Sequence, residues 1–301
     1  MSLALALIGV VLLLLPGLSQ RVPRHLRPAE CSLLIAVALS SGLLLLEFGL
    51  ALVALPTFFG SRYDFLGMHT PYALAHLPAG SPILGWPAAA LAVVIALLTF
   101  RAALQMRTLR KLTDVAGFGE RRNIVGHEVV VLPTPSIVAF ASSGGDGRVV
   151  LSSGLIDSLP AEHVEAVVRH EAAHVNHSHQ RLLALAELVE RGAGHLLPPI
   201  RRSTDALRLY VERWADEAAA GQYCRQQVCA AVSSFVARLH DNGEQPAAVE
   251  ERIRALTTDP TTPTSRRRVM TYSPVVGLSA FGFVFVGDGI RHAGILATFW
   301  L

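Results

Sequence analysis

The hydrophobic pattern sets long, nearly uncharged apolar runs at both ends of the chain around an amphipathic middle. No charge occurs from Met1 to Gln20, and every residue from Leu3 to Leu15 is apolar. A second run covers 31–56 with Glu47 as its one charge. A third lies between Asp64 and Arg101, with its best core at Pro87–Phe100, and a fourth extends from about Pro274 to Leu301, interrupted by Asp288, Arg291 and His292. Runs of this length predict membrane-spanning helices at about 2–18, 31–56, 83–104 and 274–301. A secretory signal carries positive charge before its apolar run. Here Arg21, Arg24 and Arg27 follow it, so the first run reads as a retained span.

The middle of the chain has shorter periods. Residues 124–132 and 136–142 are rich in β-branched and aromatic residues and predict strands. Gly144, Gly145, Asp146 and Gly147 signal a turn, and 148–152 returns as a strand. Together they predict a small antiparallel sheet with a hairpin. Ser158, Pro160 and Glu162 mark a helix start, and Val164, Val168, Glu171 and Val175 follow at helical spacing to about Glu190. Gly192, Gly194, Pro198 and Pro199 break this pattern. A second helix is predicted from Ser203–Asp205 to about Gly221, and a third over 222–240. Residues 257–265 read as a loop.

Composition sharpens the picture. Hydrophobic residues make up 51% and charged residues 16% of the chain, against roughly 25% charged in soluble domains. A mean hydropathy of +0.43 excludes a wholly soluble or disordered protein. The net charge of +3 is too mild for a nucleic-acid partner. Cys31, Cys224 and Cys229 form no disulfide framework and read as free buried thiols, which favours a reducing compartment. Arg21, Arg24 and Arg27, then Arg101, Arg107, Arg110 and Lys111, then Arg266, Arg267 and Arg268 all fall on one side of a four-span bundle. The positive-inside rule makes that side cytoplasmic. The expected fold is therefore a mainly α, multi-pass cell-membrane protein. It has three spans in 1–104, a cytoplasmic α+β domain over 105–273 and a last span over 274–301. Asp288 and Arg291, three apart, can pair on one helix face, and Glu47 is expected to face another helix.

The candidate chemistry sits in the strongest helical pattern. His170, Glu171, Ala172, Ala173 and His174 form an HExxH motif. Residues i and i+4 lie about 40° apart on a helix, so both imidazoles can reach one ion with Glu171 beside it. Neutral imidazoles are zinc ligands, and a zinc-bound water at lowered pKa can give its proton to a neighbouring carboxylate. A third ligand is needed. Glu212 and Asp216 share a face of the next helix, so Glu212 is a candidate ligand and Asp216 a candidate acceptor for a ligand histidine's free N–H. His177 and His195 compete as ligands, and His195 also as a transition-state donor. His179 falls near the opposite face if the helix continues.

The order HEAAHVNHSH followed by ERWAD resembles the membrane zinc peptidases of the HtpX and CAAX-prenyl-protease family, gluzincins with HExxH and ExxxD motifs. The segment LSSGLIDSLPAEHVEAVV resembles the stretch leading into their active-site helix, and the three-plus-one spans are similar to the BlaR/MecR sensor peptidases. The resemblance implies a gluzincin-like peptidase domain with Zn²⁺ held by His170, His174 and Glu212, Glu171 as catalytic base and Asp216 behind the ligands. It also implies an Arg near the oxyanion a few residues after a Pro. In TTPTSRRRV, spacing from Pro263 favours Arg267, although the triple Arg doubles as a topology signal and no His-Pro precedes it. No sensor domain is expected, so β-lactam sensing is not. The expected activity is hydrolysis of protein or peptide substrates at the cytoplasmic face of the lipid bilayer. The alternatives are a signalling protease cleaving a cytoplasmic repressor, and a non-catalytic, zinc-stabilised membrane adaptor.

Overall fold

The computed structural model describes residues 2–18, 26–65, 82–112, 119–142, 147–238 and 246–258, with scattered positions between 273 and 284. The molecule is mainly helical. Three helices open the chain: α1 (Ser2–Leu18), α2 (Pro28–Phe65) and α3 (Pro82–Leu112). Within them, Pro28–Ala54 and Ile83–Thr108 are long and apolar enough to cross a membrane, whereas α1 is a shorter apolar helix. Most of the fourth expected span, with Asp288 and Arg291, lies outside the described residues.

At Gly9 and Gly42 the backbones of α1 and α2 approach closely. A Cβ on Gly9 would stand 2.7 Å from Gly42 O, and a Cβ on Gly42 would stand 2.9 Å from Gly9 O. Small residues at such a crossing let backbones approach and gain dispersion contact. α3 packs more loosely and leaves Ile83, Trp86, Leu97 and Phe100 exposed.

Next comes a four-stranded sheet: β1 (Glu120–Ile124), β2 (His127–Leu132), β3 (Ala139–Ala141) and β4 (Val149–Ser152), in the order β1-β2-β4-β3. The expected antiparallel sheet is corrected here. β3 and β4 pair antiparallel, but β2 and β4 run parallel, so the sheet is mixed. Burial on β2 and β4 explains the inserted parallel pair: Val129, Val131, Val149 and Leu151 face one core. The run 124–132 is also not one strand. Val125 (φ 54°) and Gly126 (φ 80°) make a two-residue turn between β1 and β2, with Asn123 Oδ1 accepting from Gly126 N at 3.0 Å. Positive φ at both central positions suits the strand twist of a hairpin. Of the turn expected at 144–147, only Gly147 is described.

Helices complete the chain: α4 (Ser153–Ser158), α5 (Ala161–Asn176), α6 (His179–Gly192), α7 (Ile200–Gln222), α8 (Arg225–Arg238) and α9 (Pro246–Thr257). The helix expected to run from about 160 to 190 is two helices, broken at His177–Ser178. α5 buries Val164, Val167, Val168 and Ala172 against the sheet. α6 and α7 bury Ala186, Val189, Ile200, Leu207 and Val211 in one cluster with Leu13, Leu39 and Ile95 of the first three helices. The polar segment thus shares a core with the apolar bundle. Gly17 N donates to Ser203 Oγ at 2.9 Å where α1 meets the start of α7. The cysteines are free, but only Cys31 is buried; Cys224 is exposed and Cys229 half-buried.

Two substitutions test this packing. Gly9→Leu inserts a side chain into the α1–α2 crossing, and overpacking of this kind costs about 1–3 kcal/mol. Its melting temperature in detergent should fall, and an unchanged value would contradict the close crossing. Val125→Asn should relieve left-handed strain of about 1–2 kcal/mol on a β-branched residue. Thermal unfolding should shift upward, and a downward shift would contradict the turn geometry.

Candidate metal centre

The site forms where α5 crosses α7. α5 follows Pro160 and carries Glu162 in its first turn, both favourable helix-start features. With its valines committed to the sheet, its remaining face turns His170 and His174 toward α7. α7 commits Ile200, Leu207 and Val211 to the helical bundle, which turns Glu212 and Asp216 toward α5. Ala166 of α5 and Ala219 of α7 share a small-residue core with Val228, Ala231 and Leu256, so the two helices can approach closely.

Three donor groups converge. His170 Nε2 lies 3.1 Å from His174 Nε2 and 3.3 Å from Glu212 Oε2, and His174 Nε2 lies 3.6 Å from Glu212 Oε1. One ligand atom from each residue falls within 4.8 Å of the others. A tetrahedral zinc with ligands at 2.0–2.1 Å holds them about 3.3–3.4 Å apart, so the set fits the ion.

Asp216 lies behind His170, with Oδ1 2.9 Å from His170 Nδ1. The contact is off the line an ideal hydrogen bond takes, yet short enough for strong electrostatic pairing. Asp216 is buried and is held by Arg252 of α9 through Nε at 2.8 Å and Nη2 at 2.9 Å. Arg252 Nη1 also reaches Glu212 Oε2 at 3.4 Å.

The electrostatics call for added positive charge. Burial disfavours a charged His170, but Asp216 and Glu212 outweigh it and hold the imidazole pKa up at about 10. Burial raises the Glu171 carboxyl against the pull of His170 and His174. Burial would raise Glu212 and Asp216 too. Instead both lie below the usual carboxylate range, Glu212 well below it, because His170, His174 and Arg252 surround Glu212 and Arg252 and His170 surround Asp216. The His170 proton and Arg252 are thus the positive charges set against Glu212 and Asp216, and a dication held by the imidazoles would take the place of that proton.

The other sequence candidates lie elsewhere. His177 is exposed and stacks on Trp214, with ring centroids 4.8 Å apart. His195 is exposed and lines a cavity of about 530 Å³ with Leu98, Arg101, Glu190 and Arg201, none of them a residue of the α5–α7 cluster. Its expected place as a transition-state donor does not match that position. Arg267 lies outside the described residues.

Two site residues escaped the sequence reading. Arg252 is one. Its signal was present, since Val249, Arg252 and Leu256 recur at i, i+3 and i+7 and all are buried. An Arg on the apolar stripe of a helix needs a buried anion. The other is His179. A continuous helix puts it near the opposite face, but the break at Ser178 brings its Nδ1 to 3.2 Å from His174 Nδ1. Burial, then His174 and His177, lower its pKa to about 3, so it is neutral.

Comparison with known proteins agrees with this geometry. Residues 101–197 match Peptidase family M48. A protease HtpX homologue of Thiobacillus denitrificans is 34% identical over 84 residues, 27% of each chain. Another from Bordetella petrii is 35% identical over 89 residues, 29% of this chain and 28% of its own. The chain thus spans little more than a quarter of the length of these curated relatives. No solved structure matches. The family match ends before α7, so Glu212 and Asp216 lie outside it. The matched stretch contains the HExxH helix, so over residues 101–197 the chain is similar to Peptidase family M48, and its two relatives are named as proteases.

Proposed function

We propose that the chain is a membrane-anchored, zinc-dependent endopeptidase that hydrolyses protein substrates at the cytoplasmic face. The observation behind this is the meeting of His170, His174 and Glu212 at one point of the α5–α7 crossing, with Glu171 next to His170 in the chain and electrostatically coupled to all three. His170 and His174 would hold zinc through Nε2 and Glu212 through its carboxylate. Bound there, zinc supplies a polarised carbonyl and a water acidified to near neutral pH. Asp216 orients His170, and Arg252 keeps Asp216 and Glu212 ionised. Glu171, next in the chain to His170, takes the proton of the attacking water and delivers it to the leaving amine.

β3 is an edge strand, so an extended peptide can add to it. Gln180 Nε2 already donates to Ala141 O at 3.2 Å, which marks one end of that edge. The two long apolar helices support the membrane anchor, as do the large apolar side chains exposed along α3. The basic flanks support the cytoplasmic orientation. An intact Glu171 beside the ligand set favours a catalyst over a zinc-stabilised adaptor, since a structural site needs no base.

Two variants test the proposal. Glu171→Gln in detergent should bind zinc like the wild type and lose roughly 10²–10⁴-fold in cleavage of an unfolded protein. Equal cleavage by both would remove Glu171 from the chemistry. Glu212→Gln should lower zinc content measured by atomic absorption, and full zinc retention would move the third ligand elsewhere.

A further inference from the structure

α5 ends at Asn176 and α6 begins at His179, with only His177 and Ser178 between them. Ser178 takes φ 54°, a left-handed conformation that a side chain disfavours. Strain of this kind persists where surrounding structure enforces it. In an unbroken helix His179 would sit about 140° around the axis from His174. The kink instead returns it behind the second imidazole of the HExxH pair. His179 Nδ1 lies 3.2 Å from His174 Nδ1, and the rings meet edge-on at 88° with centroids 4.9 Å apart. His179 is fully buried.

The geometry points to His179 as a positioning residue for His174. Its neutral imidazole accepts the Nδ1–H of His174 and fixes the tautomer in which His174 Nε2 offers its lone pair to the cluster. This inference rests on the zinc reading above.

Proton placement decides the roles of the two rings. A neutral imidazole has one donor and one acceptor nitrogen. If His174 Nε2 is a ligand, its Nδ1 carries the hydrogen and the atom 3.2 Å away must accept. A protonated His179 has no lone pair there, so His179 must be neutral with its own hydrogen on Nε2. Nε2 is buried and, among the described residues, has no hydrogen-bond partner. The Trp214 ring packs beside it, with centroids 4.6 Å apart. The two ligand histidines are thus oriented by different groups: His170 by the Asp216 carboxylate and His174 by an uncharged ring. An uncharged acceptor adds no further anion beside Glu212 and Asp216. Partners of this kind set ligand orientation and basicity.

The test uses the full chain in detergent and zinc itself as probe. His179→Leu keeps apolar bulk and removes the acceptor. His179→Asn restores an acceptor, because Asn Oδ1 branches from Cγ as His Nδ1 does. Zinc dissociation constants come from competition with a chromophoric chelator. The visible spectrum of the cobalt(II) form reports ligand geometry, and thermal unfolding of the metal-free protein reports packing. His179→Leu should weaken zinc about 10–100-fold and alter the cobalt spectrum, with little change in metal-free unfolding. His179→Asn should recover most of both. Wild-type zinc affinity in the Leu variant, or equal losses in Leu and Asn, would overturn the inference. His170→Ala is the control. If it binds zinc like the wild type, the zinc reading itself fails; if it loses zinc while His179→Leu keeps it, only the role of His179 fails.

Discussion

Charge compensation at one helix crossing governs the architecture. Glu212 and Asp216 project from α7 toward α5, Asp216 buried and Glu212 half-buried, and an unpaired buried carboxylate costs several kcal/mol. Two imidazoles from α5 and the Arg252 guanidinium from α9 meet them there. Arg252 and a charged His170 offset Glu212 and Asp216, and a divalent cation bound at the imidazoles would supply positive charge in place of the His170 proton. The acidic pair, the histidine pair and the arginine are therefore mutually dependent. Removing one leaves another buried without compensation.

Such a site needs rigid supports, and both ligand helices have them on their far sides. α5 rests on the valine face of the mixed sheet, and α7 is welded to the apolar bundle through Ile200, Leu207 and Val211. The crossing is thus fixed between the sheet on one side and the first three helices on the other. In a protein working at a bilayer, that shared core keeps the site at a constant height relative to the apolar helices. The edge strand β3 packs against α5, the helix that carries both histidines.

Much of this was legible in the sequence, for local reasons. His170 with His174 and Glu212 with Asp216 are i, i+4 pairs, and helix geometry alone puts each pair on one face. Long apolar runs announced α2 and α3. Where the reading failed, the determinant was not local. Strand alternation says nothing about the partner's direction, so the parallel β2–β4 pair was read as antiparallel. The β1–β2 turn was hidden because Val125, a β-branched residue, occupies a position that asparagine or glycine usually marks. The break before α6 rests on Ser178 and carries no glycine or proline, so His179 was placed on the wrong side. Arg252 shares the buried stripe of α9 with Val249 and Leu256, but periodicity names no partner for it. Its partner lies 36 residues away, and no spacing rule reaches that far.

Anomalous diffraction at the zinc absorption edge, on crystals of the full chain grown with zinc, tests the account most directly. It predicts a single strong peak at the α5–α7 crossing, about 2.0–2.1 Å from the Nε2 atoms of His170 and His174 and from the Glu212 carboxylate. A peak at other residues, or none at that crossing, would contradict it.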